Sequence, residues 1–168
     1  MMLTQHRAGF VFTFRHLRGG RVIFEHTEHN LMPYEGVNHM LSVLVAQGTQ
    51  TPTWYIALYG NDYAPDVADT AATFPTLAGE LVGYTGNRPA FAPGAPSSGV
   101  IGNAGQEAEF TFTAQQVVRG GFVASHAVKG STAGVLLSAV QLPSPRTFEI
   151  GDVAAQVVAH QMRRAVVA

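Results

Sequence analysis

The chain has 168 residues, which is enough to bury one hydrophobic core, and this length favours a single domain spanning residues 1–168. Charged residues make up 12% of the chain, about half of the ~25% typical of globular proteins, and a net charge of -1 offers no basic surface for nucleic acid. The chain has no cysteine, which excludes a disulfide framework, a thiolate metal site and a cysteine nucleophile.

The first predicted element is a β-hairpin over residues 8–28. Phenylalanines occupy every second position from Phe10 to Phe14, which is the period of two that a strand requires. Two glycines in Arg18–Arg21 suit a tight turn, because glycine adopts positive φ without strain. The β-prone run 22–26 then predicts the returning strand.

A helix is predicted over residues 33–46. Apolar residues recur there at three- and four-residue steps, at Val37, Met40, Leu41, Leu44 and Val45. Pro33 suits a first helical turn, and Gln47-Gly48 offers a C-cap. No other stretch has this periodicity, so we expect one helix.

A strand is predicted over Thr53–Tyr59, where both faces are apolar, as in a central strand. Two loops follow, at residues 60–79 and 86–105, and the second is rich in Gly, Pro, Ser and Ala. Loops longer than about 12 to 15 residues are usually functional or disordered. The loop 86–105 is therefore interpreted either as a contact arm or as a disordered surface excursion.

The remaining pattern predicts further strands at Leu81–Tyr84, Glu107–Thr113, Arg119–Val128, Val135–Leu142 and Arg146–Val158, the last broken at Gly151. About eight strands and one helix predict a mainly β domain, an antiparallel β-sandwich or jelly roll. Glycines inside these strands, at Gly120-Gly121 and Gly151, predict bulges, turns or close backbone approaches. Met1–Arg7 lacks the features of a signal peptide, and no apolar run approaches the ~20 residues that span a bilayer, so neither export nor a transmembrane segment is expected.

Two groups of residues invite a metal hypothesis. In His26-Thr27-Glu28-His29, the histidines are three apart, so on a strand they point to opposite faces and could share one ion only if the strand ended between them. Asp62, Asp66 and Asp69 carry oxygen ligands that suit calcium, but a solvated loop is the favoured interpretation. We expect no metal site and no cofactor.

Catalytic patterns are equally weak. Glu107 and Glu109 share one strand face and resemble an acid/base pair, but an exposed strand face is the favoured interpretation. Neither Ala95–Gly99 nor Gly130–Gly134 forms the G-x-S-x-G elbow of a serine nucleophile. The glycines of Gly94–Gly105 do not join a strand to a helix, as a phosphate-binding loop requires. No catalytic residue is assigned, and we expect a protein that is not an enzyme.

The order of several short motifs resembles a group of small structural proteins of tailed bacteriophages, over about Asn30 to Val158. The motifs are Asn30-Leu31, Gly36, Trp54–Leu58, Ala68–Thr70, Asn87–Pro89, Gly120–Phe122, Lys129–Leu136 and Arg146 through Gly151–Val153. The chain departs from the pattern at Ala57, where glycine is usual, and at Leu77–Glu80, which lacks a tryptophan before Glu80. The hairpin 8–28 lies outside the match.

Proteins of this group are labelled decoration, cement or tail-fibre proteins, so the resemblance implies a virion component made in the host cytoplasm. The leading hypothesis is a capsid decoration or cement protein that stabilises the head shell through the major capsid protein or other virion proteins. Low charge predicts a homo-oligomer, with a trimer favoured over a dimer, and neither nucleic acid nor membrane is an expected partner. The contacts are expected from loop 86–105 and the hairpin tip Arg18–Arg21, and deletion of residues 90–104 is expected to leave a folded protein.

Two alternatives stay open. One is a tail, collar or head-fibre component. The other is a carbohydrate-binding module for host adsorption, which is less favoured because the chain offers only Trp54 and scattered tyrosines, and Trp54 is predicted to be buried.

Overall fold

The computed structural model describes residues 4–166, with side chains described from residue 8 to residue 162. In this part of the chain there are nine strands and two helices. They are β1 (Thr4–Arg18), β2 (Arg21–His29), α1 (Tyr34–Val45), β3 (Trp54–Tyr59), α2 (Phe74–Leu77), β4 (Ala90–Phe91), β5 (Val100–Gly102), β6 (Ala108–Thr111), β7 (Gln116–Ala124), β8 (Leu136–Phe148) and β9 (Val153–Val166). The predicted mainly β fold and the helix at 33–46 are confirmed.

The strands form two antiparallel sheets. Sheet 1 has the order β2-β1-β9-β5, and β6 also pairs with β9; sheet 2 has the order β4-β3-β7-β8. The first and last described strands, β1 and β9, are neighbours in sheet 1, so this sheet joins segments that are distant in sequence. The predicted hairpin is confirmed as β1 and β2, with Gly19 and Gly20 in the turn at φ 57° and 74°.

The main core lies between the two sheets. Phe10, Phe12 and Phe14 of β1 point into it from sheet 1 and meet Ile56 and Leu58 of β3 from sheet 2. These side chains alternate with outward-facing ones, as the period of two predicted. The hydrophobic effect of this burial holds the sheets together.

A second core covers the other face of sheet 2. Ala57, Tyr59 and Phe122 of that sheet pack against Ala71 and Phe74 of the segment 60–79. The predicted central strand, buried on both faces, is therefore confirmed for β3. The segment 60–79 is not simply a loop, because it contains α2 and forms the cover of this second core.

Gly120 and Gly121 allow close packing on both faces of β7. A Cβ at Gly120 would clash with the Tyr59 ring, whereas one at Gly121 would lie 3.0 Å from the Gln156 amide in the main core. The pairing of β7 with β8 also shifts between Val118 and Gly120. The predicted close approach and bulge are both confirmed.

Three strand predictions need correction. Residues 81–84 form no strand, because this segment crosses from sheet 2, where Glu80 bridges Tyr59, to sheet 1, where Tyr84 bridges Phe112. The strand predicted at Val135–Leu142 and the first part of the one predicted at Arg146–Val158 are one strand, β8, whose irregular pairing with β7 accommodates Pro143 and Pro145. The break at Gly151 is confirmed as the turn between β8 and β9.

The strand predicted to reach Val128 ends at Ala124 instead. The chain leaves the sheet there because the Arg88 guanidinium binds the carbonyl oxygens of His126 and Ser131. At its other end β7 begins at Gln116, three residues earlier than predicted, because residues 116–118 pair with the end of β8.

The predicted loop 86–105 is more ordered than expected. It contains β4, which pairs with β3, and β5, which pairs with β9, so it ties the two sheets together at one end. Only its middle, residues 93–99, is continuously exposed. Deletion of residues 90–104 would remove both strands, so the expectation that this variant folds is not supported by the structure. Among the described residues, no helix is long and apolar enough to cross a membrane.

Candidate functional site

An apolar cleft lies at the end of the molecule where β1 and β5 meet the C-terminal half of α1. Two adjoining cavities of about 360 and 260 Å³ form it, and the residues they share are Met40, Gln50, Thr51, Trp54 and Leu137. We call it the end cleft. Trp54, predicted to be buried, is half-buried and forms part of its wall. Among the side chains that the structure describes, none lining the cleft is charged.

Two histidines line the end cleft. His160 packs edge-on against Phe10 with ring centroids 4.6 Å apart, and burial lowers its pKa. Its Nε2 has no hydrogen-bond partner within the described part of the chain. His39 shares a hydrogen bond of 3.1 Å with the Thr51 hydroxyl. Because no carboxylate or lysine described in the structure lines the cleft, this arrangement suits binding of a neutral apolar group.

Helix α1 borders the cleft and exposes an uncharged surface. Its exposed residues are Tyr34, Asn38, Leu41, Leu44 and Val45, which we call the α1 outer face. Glu35, the one carboxylate in the helix sequence, turns inward, where a carboxylate oxygen accepts hydrogen bonds from the amides of Ala71 and Leu136 at 2.8 and 2.6 Å.

The opposite side of α1 contacts β8 closely. A Cβ at Gly36 would clash with the carbonyl oxygen of Leu137, so only glycine permits this approach. The helix is thus fixed on sheet 2 through its first turn, and its outer face is directed to solvent.

Two exposed tips lie at opposite ends of sheet 1. The hairpin tip, residues 18–23, is exposed throughout and includes Val22 and Ile23, which are 53% and 49% exposed. The loop tip, residues 93–99, precedes β5, which pairs with β9 near His160. The part of β1 beside His160 and the part beside the hairpin tip, Phe10 and Leu17, are seven residue steps apart, which is about 23 Å of strand. The two tips therefore form separate surfaces.

Three of the motifs in the phage resemblance, Asn87–Pro89, Gly120–Phe122 and Lys129–Leu136, meet around a buried ion pair. The side chains of Arg88 and Glu80 are 0% and 2% exposed, and the Arg88 Nε donates to Glu80 at 2.8 Å. The guanidinium also lies over the Phe122 ring, 5.3 Å from its centroid. Nearby, the Lys129 ammonium donates to the carbonyl oxygens of Val82 and Tyr84. These residues join loops to sheet 2 and have a structural role, as the motif glycines do.

The three aspartates considered for calcium do not converge. Asp69 accepts hydrogen bonds from the Tyr63 hydroxyl at 2.6 Å and the Asp66 amide at 2.7 Å, and the first of these raises the pKa of Tyr63 to about 12. Asp62 lies apart and accepts a hydrogen bond from Gln141. No group of three His, Cys, Asp or Glu residues in the described chain is arranged to hold a metal ion.

The other candidate residues lie on the surface of sheet 1. His26 and Glu28 share one side of β2, with His26 Nε2 3.2 Å from the carboxylate, and that contact lowers the pKa of Glu28. Glu107 lies just before β6 and binds Arg15 at 3.2 Å. Glu109 is exposed. The two glutamates belong to a solvated strand surface, as the favoured interpretation held.

Sequence reasoning missed a buried polar cluster at the end of sheet 1. The Asp152 carboxylate accepts hydrogen bonds from Arg18, at 2.9 and 2.7 Å, and lies 2.8 Å from His16 Nε2. His16 also stacks on Phe148. Asp152 lies more than one hundred positions from His16 and Arg18, and the Gly151-Asp152 turn was the only local signal.

No model of a known protein family matches the chain, and no curated protein is significantly similar to it.

Proposed function

We propose that this protein is a structural component of a bacteriophage virion that acts by binding alone, and specifically a capsid decoration or cement protein that stabilises the head shell. The observation that carries the proposal is the pair of exposed tips about 23 Å apart along sheet 1. One copy has a separate contact surface at each end, as a protein that joins two neighbouring capsid subunits requires. Its partners would be the major capsid protein and further copies of itself.

The fold and the surface chemistry support this proposal. A jelly-roll arrangement is the finer description we favour, because β9 returns to lie beside β1, as Greek-key connections do. The apolar end cleft and α1 outer face offer binding surfaces without charge. A large assembly needs only modest contacts from each copy, because many copies acting together raise avidity.

The alternative is a component of the tail, the collar or a head fibre, where the same surfaces would make the contacts. A carbohydrate-binding module is less favoured, although Trp54 and Phe91 line the end cleft, because no described carboxylate is available there to bind sugar hydroxyls. We therefore expect that the end cleft does not bind glycans.

The test uses particles from a phage that lacks this protein, to which purified protein is added. Ile23→Glu changes the hairpin tip and Pro96→Glu the loop tip, each at an exposed position. We expect each variant to lower occupancy about tenfold, and the double variant to abolish binding, because a charge buried at an interface is costly. Val82→Glu is the matched control, since Val82 is 53% exposed and belongs to neither of the two tip segments.

Heat resistance of the particles tests the cementing role. We expect particles carrying wild-type protein to retain their genome at temperatures where bare particles release it. Equal resistance of bare and decorated particles would contradict a cement role. Full binding by the double tip variant would contradict the two-surface arrangement, and binding to purified tails instead of heads would favour the alternative location.

A further inference from the structure

The exposed residues of α1 have a regular spacing. Tyr34, Asn38, Leu41 and Val45 follow one another at steps of four, three and four residues. This is the spacing of the contact seam in a coiled coil, where apolar positions repeat with a mean period of 3.5 residues. Leu44 lies beside the seam. The three apolar seam residues are 63%, 52% and 80% exposed, in chain order.

The packing of α1 within its own chain does not explain this seam. A surface helix normally places its apolar stripe toward the core and its charged residues toward solvent. In α1 the buried side is already occupied, since Gly36 contacts β8 and Met40 packs against the main core. The seam therefore provides a second apolar stripe, and nothing in residues 8–162 covers it.

We propose that the seam binds the same seam of a second copy of this chain, with the two helices antiparallel about a two-fold axis. Steps of four, three and four read the same in both directions, so the seam is complementary to itself. Tyr34 of one copy would lie opposite Val45 of the other, and Asn38 opposite Leu41. A single polar Asn in such a seam is a known determinant of helix register.

Charge supports a second copy as the occupant. A two-fold axis places each patch against its own image, so a charged patch would repel itself. The outer face of α1 has no charged residue, and Glu35, the one carboxylate of the helix, is held inward by two backbone amides. A membrane or nucleic acid surface would instead select lysine and arginine, and the helix has neither.

The inference rests on the self-association in the proposed function and deepens it by naming the surface. A helix of 12 residues is about 18 Å long, so two of them bury less area than the ~1,200 Å² of a stable interface. The dimer is therefore weak in solution and becomes substantial where copies are concentrated on a particle. Two-fold symmetry predicts a dimer contact, in contrast to the trimer favoured by composition.

Sedimentation equilibrium from about 1 to about 500 micromolar tests the association. We expect the wild-type mass to rise toward that of two copies, and Leu41→Glu to weaken association at least about tenfold. Val82→Glu is the matched control, because Val82 and Leu41 are 53% and 52% exposed. The variant Asn38→Lys/Leu41→Glu should restore association, since each lysine would face a glutamate of the other copy. A wild-type monomer throughout, or equal association of Leu41→Glu, would overturn the proposal.

Cysteine cross-linking tests the direction of the helices, because the chain has no cysteine of its own. A mixture of Asn38→Cys and Leu41→Cys proteins should form a mixed disulfide, and each variant alone should cross-link poorly. Efficient self-cross-linking of either variant alone would overturn the antiparallel arrangement. The tip variants are predicted to dimerise normally, so failure of particle binding and failure of this inference are distinguishable.

Discussion

Asp152 combines a buried carboxylate with three hydrogen-bond donors, two in β1 and one in the turn before β9. Hydrogen bonds from Arg18, the largest effect, and from the Glu149 amide and His16 lower its pKa well below the usual range, although burial acts in the opposite direction. Because the pKa is depressed in the folded state, the stabilisation is fully present above about pH 4, the value for an unfolded aspartate. It is lost progressively as the pH falls toward the folded-state pKa.

We predict that Asp152→Asn lowers the free energy of unfolding by about 1–3 kcal/mol at neutral pH, because charged hydrogen bonds are lost. The difference from wild type should shrink below about pH 4, where the Asp152 carboxylate of the unfolded wild-type chain begins to gain its proton while the folded one stays ionised. Urea unfolding across this pH range measures it. Glu25→Gln is the control, because Glu25 pairs with Arg15 at the surface, where ion pairs contribute little. A difference that is independent of pH would contradict this account.

The Arg88–Glu80 pair has the larger predicted effect. Arg88→Met would leave the Glu80 carboxylate buried without its cation, which should cost about 3–5 kcal/mol in urea unfolding. The double variant Glu80→Gln/Arg88→Met should recover part of this loss, since no charge remains buried. Arg119→Met provides the control, because Arg119 is partly exposed and 3.6 Å from Asp62. If Arg88→Met and Arg119→Met were equally stable, the buried Arg88–Glu80 pair would have no special role in stability.

At the scale of elements, Asn103 holds β5 and β6 along the same strand. Its side-chain oxygen accepts the Val158 amide at 2.7 Å, and its side-chain amide donates to the Gln156 carbonyl oxygen at 3.2 Å. It thus takes the place of a strand residue in the gap between β5 and β6, both of which pair with β9.

We predict that Asn103→Ala lowers stability by about 1–3 kcal/mol, because it leaves the buried Val158 amide without a partner. In the variant, the amide hydrogens of Val158 and β5 should exchange faster than in wild type, and the increase should be larger there than in β7. Asn87→Ala, at an exposed position, is the control. Unchanged exchange at Val158 would contradict the role assigned to Asn103.

At the scale of the whole molecule, β9 connects the other strands of sheet 1, because it pairs with β1, β5 and β6. We predict that a chain ending at Asp152 shows no cooperative unfolding transition by circular dichroism, because β1 then loses its main partner and one side of the core opens. Adding a peptide of residues 153–168 should restore the transition. A cooperative transition in the truncated chain alone would show that β9 is dispensable.

Pairing of the first and last strands also predicts slow folding, because most contacts are distant in sequence.

The sequence by itself determined the features that depend on local periodicity and turn chemistry. Alternating phenylalanines defined β1, Gly19-Gly20 defined its turn, and three- and four-residue steps defined α1. These signals survive in a single sequence because they reflect which side of one element is buried. The doubly apolar pattern of β3 was informative for the same reason.

Only the tertiary structure decided how distant segments meet. It showed that residues 81–84 cross between sheets, that loop 86–105 adds strands to both sheets, and that His16, Arg18 and Asp152 form one cluster. The end cleft and the exposure of the α1 seam also depended on it, because the same helical periodicity that predicts α1 does not say which of its two apolar sides faces the core. That choice is made by contacts between residues far apart in the chain, such as Gly36 with Leu137 and Glu35 with Leu136.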